Sequence, residues 1–219
     1  MSLPIVEIFN SIEGEGIRSG KLCTFVRTAG CNCRCIYCDT TYSYDESTVE
    51  RMSCEQIIQK VEQYDCKTIT LTGGEPLLHD EVVTTLIPRL LEKQYEINIE
   101  TNGSIPLWLI KKVKRDKVIF TMDWKSPSSG MNNKMLYDNL TILKEKDVLK
   151  FVVGTEEDLQ EMKSIIQQNK LKCSIFVSPV FGQIELTQIV QFLKDNKLMD
   201  VRLQVQLHKI IWNVSERGV

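Results

Sequence analysis

The stretch CNCRCIYC at residues 31–38 places four cysteines within eight residues. Cysteines this close together in a tight loop do not easily reach disulfide geometry, which needs Cα atoms roughly 4.4–6.8 Å apart with suitable Cβ directions. Metal binding is the better interpretation, because the thiolate is the metal-ligating form of cysteine. The stretch follows the β-rich segment LCTFVRT (22–28), so it predicts a metal-binding loop at the end of a strand.

The length and charge of the chain indicate one enzyme-sized domain. Residues 1–219 fit a single α/β domain, since such domains commonly run to about 200–250 residues. With 27 basic and 29 acidic residues the net charge is −2, and no basic stripe predicts a nucleic-acid partner. No apolar run approaches the roughly 18 residues of a membrane span, and the N-terminus lacks the layout of a signal peptide. The sequence therefore predicts a cytoplasmic protein without a membrane partner.

The cysteines outside the loop are interpreted differently. Thiols stay reduced in the cytoplasm, so eight cysteines favour metal binding or catalysis over a disulfide framework. Four of them are scattered among apolar neighbours, and we expect these to be small buried side chains: they are Cys23, Cys54, Cys66 and Cys173.

From about residue 67 the chain alternates short β-rich runs with amphipathic stretches. Near-continuous apolar and β-branched runs suit parallel strands covered on both faces; they lie at 68–72, 96–100, 118–123, 148–153, 173–178 and 201–207. Helices are predicted at 81–91, 157–166 and 186–193, with helix N-caps at Thr155 and Ser53. Together with the strand at 22–28 this gives about seven β units. Because a full barrel takes about 250 residues, we expect an incomplete TIM-type barrel of parallel strands with helices outside.

The strand ends carry the unusual residues of the sequence. Function in such folds gathers in the loops that follow the C-terminal ends of the strands. Five strands run into polar, glycine-rich or cysteine-rich loops: the cysteine loop, 73–76 (GGEP), 101–103 (TNG), 124–130 (WKSPSSG) and 179–182 (PVFG). Since these ends share one rim, the five loops predict a single site.

Three of the loop cysteines have a spacing that indicates a particular metal group. Cys31, Cys35 and Cys38 read C-x3-C-x2-C. Thiolates hold iron–sulfur clusters, normally four of them for a four-iron cluster, so three would leave one iron open to a substrate. With Tyr37 inside the triplet and Asp39–Thr40 after it, the loop resembles the signature of the radical S-adenosylmethionine (radical SAM) superfamily.

A zinc knuckle stays open as an alternative, using Cys31 or Cys33 together with Cys35 and Cys38. No second cysteine pair or histidine pair completes a tetrahedral site in the sequence. Cys33 stands where the superfamily commonly has an apolar residue, and we leave it out of the ligand set.

The GGEP segment supports the resemblance. Two glycines let the backbone approach a ligand closely, and the segment follows a predicted strand about thirty-five residues beyond the cysteine loop. It resembles the superfamily segment that binds the methionine end of S-adenosylmethionine. The cofactor contacts that the resemblance implies are Tyr37, Cys38, Asp39, Gly74, Asn102, Lys125 and Ser126.

The segment 9–40 is similar to the 7-carboxy-7-deazaguanine synthase family. That family shares the sequence Gly14-Glu15-Gly16, an arginine four residues before the first cluster cysteine (Arg27) and the ending Cys38-Asp39-Thr40. The similarity continues through GGEP, 123–130, 178–182 and 203–212, and so covers essentially the whole chain.

The resemblance also implies the substrate-binding residues. Arg27 is expected to bind a carboxylate, because its planar fork suits one bidentately. Thr40 aligns with a Mg²⁺ ligand, which is reasonable because Mg²⁺ prefers oxygen donors. The other substrate contacts are Ile12, Glu13, Gly14 and Thr72, and roles for His208, Lys209 and the tail to Val219 are left open.

The implied reaction converts 6-carboxy-5,6,7,8-tetrahydropterin to 7-carboxy-7-deazaguanine with loss of ammonia, a lyase step of queuosine biosynthesis. A 4Fe–4S cluster and S-adenosylmethionine would supply the radical chemistry. Resemblance also implies Mg²⁺, an electron donor such as a flavodoxin or ferredoxin, and a homodimer. Two alternatives remain at this point: an activating enzyme that installs a glycyl radical on a partner protein, and a zinc-bearing binding module.

Overall fold

The computed structural model describes residues 2–113, 115–213 and 216–219. Nine strands form one open sheet in the order β3-β1-β2-β4-β5-β6-β7-β8-β9. Their bounds are β1 Ser2–Ile12, β2 Leu22–Thr28, β3 Glu50–Ser53, β4 Thr68–Gly73, β5 Glu96–Thr101, β6 Val118–Trp124, β7 Val148–Val153, β8 Ser174–Pro179 and β9 Val201–Leu203.

The seven strands from β2 and β4 to β9 are parallel, which confirms the predicted β units. Their near-continuous burial explains the apolar runs, because a parallel sheet covered on both faces leaves few positions for polar side chains. The sheet does not close, so the fold is the expected incomplete barrel.

Two strands were not predicted. β1 pairs antiparallel with β2 on one side and with β3 on the other. Its burial pattern is mixed, so it shows neither a continuous apolar run nor a strict alternation. The pairing of β1 with its neighbours, and not its own sequence pattern, makes it a strand.

The α-helices are α1 Cys54–Glu62, α2 Ile87–Glu92, α3 Asp138–Ile142, α4 Glu156–Gln168, α5 Leu186–Asp195 and α6 His208–Ile211. The predicted helix at 81–91 is present as a π-helical turn, Val82–Leu86, that continues into α2. Ser53 and Thr155 both cap their helices, as predicted, and the structure shows a capping box at each. Apolar side chains of α1, α2, α4 and α5 join those of the strands in one core.

Two details of the sequence reading were wrong. The predicted strand at 201–207 pairs only over Val201–Leu203, because the chain then turns toward the rim of the sheet. Cys66 is half-buried and not buried, and its Sγ donates to the Leu22 carbonyl at 3.6 Å. Cys23, Cys54 and Cys173 are buried as expected.

Candidate active site

A cavity of about 510 Å³ opens at the C-terminal ends of the parallel strands. This volume lies within the range of about 300–1,000 Å³ that is usual for small-molecule sites. Every site residue predicted from the sequence lines it except Ser126. The rim on which the five loops were expected to meet is therefore present, although the role of each residue stays a prediction.

The cysteine loop forms one wall of this cavity. Cys31, Cys35 and Cys38 all line it. The Cys31 Sγ accepts from the backbone N–H of Cys33 at 3.4 Å and from Asn102 Nδ2 at 3.8 Å. Hydrogen bonding from Cys33 is the main cause that lowers the pKa of Cys31 to about 6, which favours the ligating thiolate.

The three thiols suit an iron–sulfur cluster by their chemistry and by the wall that they share. Within the described residues no three His, Cys, Asp or Glu side chains converge on one point closely enough to bind an ion. The three thiols thus line one cavity without converging on a single point. Cys33 is buried and hydrogen-bonded to Cys31.

The GGEP segment packs directly against the cysteine loop. The Gly74 N–H donates to the Thr28 carbonyl at 3.1 Å, and the Glu75 N–H donates to the Gly30 carbonyl at 2.8 Å. A Cβ at Gly74 would collide with the Gly30 carbonyl oxygen and with the Cys31 side chain. Glycine is required here because two backbones approach each other and the cavity at once.

Glu75 was not singled out from the sequence, yet it fixes the next loop. Its carboxylate is fully buried and accepts from the Asn102 N–H at 2.6 Å, from Thr101 Oγ1 at 2.9 Å and from the Leu77 N–H at 3.0 Å. Burial raises the pKa of Glu75 to about 7. The sequence offered one indication of this role, the position of Glu75 between two glycines and a proline in GGEP.

The side of the cavity that the resemblance predicts to bind substrate is formed at the ends of β1, β2 and β4. Arg27 Nε donates to Glu7 Oε1 at 2.7 Å, which occupies one of the five guanidinium N–H donors. Thr72 Oγ1 donates to Glu100 at 3.0 Å. Glu13 is buried, accepts from Thr70 Oγ1, and has its pKa raised to about 7 mainly by burial.

A buried ionic network forms the floor of the cavity, and the sequence reading missed it. Lys150 Nζ lies 2.9 Å from Glu15 Oε2 and 3.0 Å from Asp123 Oδ1. Asp123 Oδ2 also pairs with Lys125 at 2.9 Å. These carboxylates raise the pKa of Lys150 well above its usual value despite burial, so both lysines are cationic. A charged residue inside an apolar strand was the signal that could have revealed Lys150.

Three further predicted residues, Tyr37, Thr40 and Ser126, differ in their contacts and in whether they line the cavity. Tyr37 lines the cavity and donates from its hydroxyl to the Val152 carbonyl at 3.4 Å. The Thr40 hydroxyl lies 3.7 Å from Cys38 Sγ. Ser126 is fully buried and does not line the cavity, and its Oγ has no hydrogen-bond partner among the described residues.

The segment after β9 crosses the Gly14–Gly16 loop and helps to line the cavity. Gln204 Oε1 accepts from the Gly16 N–H at 2.6 Å, and the Leu207 N–H donates to the Gly14 carbonyl at 3.1 Å. A Cβ at Gly14 would collide with the imidazole of His208. Lys209 pairs with Asp39 at 3.0 Å, so this segment also contacts the cysteine loop.

Comparison with known proteins identifies relatives across the whole chain. A model of the radical SAM superfamily matches residues 25–167. The 7-carboxy-7-deazaguanine synthase of Clostridium acetobutylicum is 46% identical over the whole of both chains. That of Chlorobaculum tepidum is 38% identical over 99% of this chain and 97% of its own.

The chain belongs to the 7-carboxy-7-deazaguanine synthase family. It is a radical SAM enzyme, as the cysteine spacing and GGEP predicted, and the superfamily implies a 4Fe–4S cluster and S-adenosylmethionine. The crystal structure of QueE from Escherichia coli has the same fold, with a TM-score of 0.73, 21% identity and 94% of each chain covered. Family membership gives no support to the zinc-bearing module or to the glycyl-radical activating enzyme. None of the described helices is long and apolar enough to cross a membrane.

Proposed function

We propose that this member of the 7-carboxy-7-deazaguanine synthase family converts 6-carboxy-5,6,7,8-tetrahydropterin to 7-carboxy-7-deazaguanine with loss of ammonia, in queuosine biosynthesis. The observation that carries the proposal is that Arg27 and the cysteine triplet line the same cavity. An arginine fork suits the substrate carboxylate, and a cluster with an open iron suits the radical cofactor.

In this proposal the cluster is held by Cys31, Cys35 and Cys38, and S-adenosylmethionine lies against Gly74. Together these groups supply hydrogen abstraction when bound. The Gly74 backbone approaches the cysteine loop closely enough to place one ligand against both. Further cofactor contacts are assigned to Tyr37, Asp39, Asn102, Lys125 and Ser126, of which only Ser126 lies off the cavity wall.

The pterin occupies the part of the cavity next to β1 and β2. Arg27 binds its carboxylate with the donors that Glu7 leaves free. Ile12, Glu13 and Gly14 form the neighbouring wall together with Thr72. Buried polar groups there select a substrate that can pair with each of them, because an unpaired one is costly.

Several finer features are proposed on family resemblance. Mg²⁺ is bound through the Thr40 hydroxyl, which predicts that Thr40→Val weakens the stimulation of activity by Mg²⁺ while Thr40→Ser retains it. The electron donor is a flavodoxin or ferredoxin, the chain acts in the cytoplasm as a homodimer, and residues 1–219 form one domain.

Anaerobic turnover tests the proposed reaction. Reduced, cluster-loaded protein with S-adenosylmethionine and the carboxypterin is expected to release 7-carboxy-7-deazaguanine. Arg27→Ala should abolish that product while cleavage of S-adenosylmethionine to 5′-deoxyadenosine continues. Arg89→Ala is the matched control, because its ion pair with Glu55 is exposed and outside the cavity. Formation of 5′-deoxyadenosine by the wild type without any deazaguanine would refute the proposed reaction.

A further inference from the structure

Two arginines contact the same aromatic ring on the cavity wall. The guanidinium carbon of Arg27 lies 6.0 Å from the centre of the Tyr42 ring, and that of Arg217 lies 3.8 Å from it. All three residues line the cavity, together with Gly218 and Val219. The tail therefore brings a second guanidinium to the wall where Arg27 is expected to bind a carboxylate.

Arg27 has a carboxylate partner, whereas none pairs with Arg217 among the described residues. Glu7 Oε1 accepts from Arg27 Nε at 2.7 Å and from the Tyr42 hydroxyl at 3.3 Å, so the Glu7 carboxylate is the anionic partner of Arg27. Arg217 is exposed, and its one described contact is with the Tyr42 ring, although Glu216 and the C-terminal Val219 line the same cavity. Among the described residues the Arg217 guanidinium thus lies beside the cavity with the Tyr42 ring and no carboxylate as its partner.

Stacking on an aromatic ring leaves a guanidinium ready for an anion. The ring contacts the flat face of the group, whereas the N–H donors point outward from its edge in a fixed fork. The face contact also attracts the cation electrostatically, which restricts the side chain before any ligand binds. Tyr42 thus holds the Arg217 guanidinium at the cavity wall and leaves its N–H donors available to an anion.

We propose that Arg217 and Arg27 together form a carboxylate clamp, and that Arg217 determines the preference for a carboxylated pterin. The inference rests on the proposed function, because that reaction supplies the carboxylate. Arg27 binds it from the sheet, and Arg217 binds it from the tail. A pterin without the carboxylate would not pair with Arg217, so Arg217 would contribute nothing to its affinity.

The test compares the binding of two ligands to the wild type and to three variants. Binding of 6-carboxy-5,6,7,8-tetrahydropterin and of tetrahydropterin, which lacks the carboxylate, is measured by anaerobic equilibrium dialysis on cluster-loaded protein. Arg217→Ala is expected to weaken binding of the carboxypterin about tenfold, the lower range for a hydrogen bond to a charged group, and to leave tetrahydropterin binding unchanged. Arg217→Lys should retain part of the affinity, because it keeps the charge and loses the fork.

Arg202→Ala is the matched control. Arg202 also lies over an aromatic ring, 5.7 Å from the centre of Phe176, but outside the cavity. It should bind both pterins as the wild type does. In turnover, Arg217→Ala should raise KM for the carboxypterin with kcat kept within about twofold, because it removes binding and not chemistry.

Two results would overturn the clamp. If Arg217→Ala weakens both pterins equally, Arg217 only holds the tail in place; if it weakens neither, it does not bind the carboxylate. Failure of the reaction itself is recognised separately, since the wild type would then form no deazaguanine whatever the ratio of the two affinities.

Discussion

Lys150 brings a positive charge into the middle of an otherwise apolar strand. The ammonium group contacts Glu15 and Asp123, and the nearby Glu100 adds a third negative charge. Glu15 also accepts from Ser178 Oγ at 3.0 Å, so its carboxylate has little freedom to move. Because Glu15 belongs to the Gly14–Gly16 loop, this network connects the floor of the cavity with the wall assigned to the substrate.

Lys150→Met is expected to destabilise the fold by about 3–5 kcal/mol. The change leaves Glu15 buried without its cation and Asp123 paired with Lys125 alone, and breaking a buried pair costs more than the pair contributes. Urea unfolding followed by circular dichroism measures the effect. Lys60→Met, which removes an exposed pair with Glu50, should cost far less. Equal losses for the two variants would show that the network is not buried in solution.

Cys31 and Cys33 allow a second prediction at the scale of the residue. Cys31→Ala should prevent assembly of the cluster, because the proposal gives the cluster only three protein ligands. Cys33→Ala should keep its iron, since Cys33 acts only through its hydrogen bond to Cys31. Iron content and the visible spectrum after anaerobic reconstitution measure both. Loss of iron from Cys33→Ala would mean that the ligand set was chosen wrongly.

Among the elements of the site, the loop after β4 has the tightest fit to its neighbour. Gly73 has a φ of 145°, a backbone conformation that favours glycine, and Gly74 touches the backbone of the cysteine loop. Glu75 then ties this loop to the one after β5 through Asn102 and Thr101. Three strand ends are thereby held at fixed positions around the proposed cofactor.

Gly74→Ala is expected to reduce iron incorporation and binding of S-adenosylmethionine together, because its Cβ collides with the carbonyl of Gly30. Iron analysis and equilibrium dialysis measure the two effects. Gly20→Ala is the control: its φ of 82° is strained for alanine, yet no atom lies within 4 Å of the new Cβ. Full cofactor content in Gly74→Ala would contradict the close approach of the two loops.

Glu75 predicts a dependence of stability on pH. Its folded pKa of about 7 lies above the ordinary value of 4.5, so the folded state holds the proton more tightly. Its contribution is present at low pH and is lost as the pH rises from 4.5 to 7, by about 3 kcal/mol for a fully buried group.

Glu75→Gln should be less stable at all pH values, because its NH₂ cannot accept a hydrogen bond, but its stability should change less between pH 5 and pH 7.5. Unfolding free energies at several pH values test this. The same slope in wild type and variant would exclude Glu75 as the titrating group.

At the scale of the whole molecule, one sheet and one core connect the strands from β1 to β9 and the helices that cover them. The core runs from Leu3 of β1 to Val201 of β9 without interruption between helices and strands. We therefore expect residues 1–219 to unfold as one domain. Circular dichroism and tryptophan fluorescence, to which the buried Trp124 contributes, should give coincident urea transitions, and two separated transitions would show two domains.

The sequence determined much of this site because its signals are local. The C-x3-C-x2-C spacing, the two glycines of GGEP and Arg27 are each recognisable within a few residues, and so are the seven apolar strands. Parallel strands place their C-terminal ends on one rim, so local strand ends were enough to predict a shared site.

Only the tertiary structure decided which distant residues meet. Lys150 lies 135 residues from Glu15, and Gln204 lies 188 residues from Gly16. The strand β1, the ionic floor and the contact of Arg217 with Tyr42 depend on such pairs as well. Sequence patterns report the environment of a residue within its own element, whereas ion pairs and cavity walls arise from which elements the fold brings together.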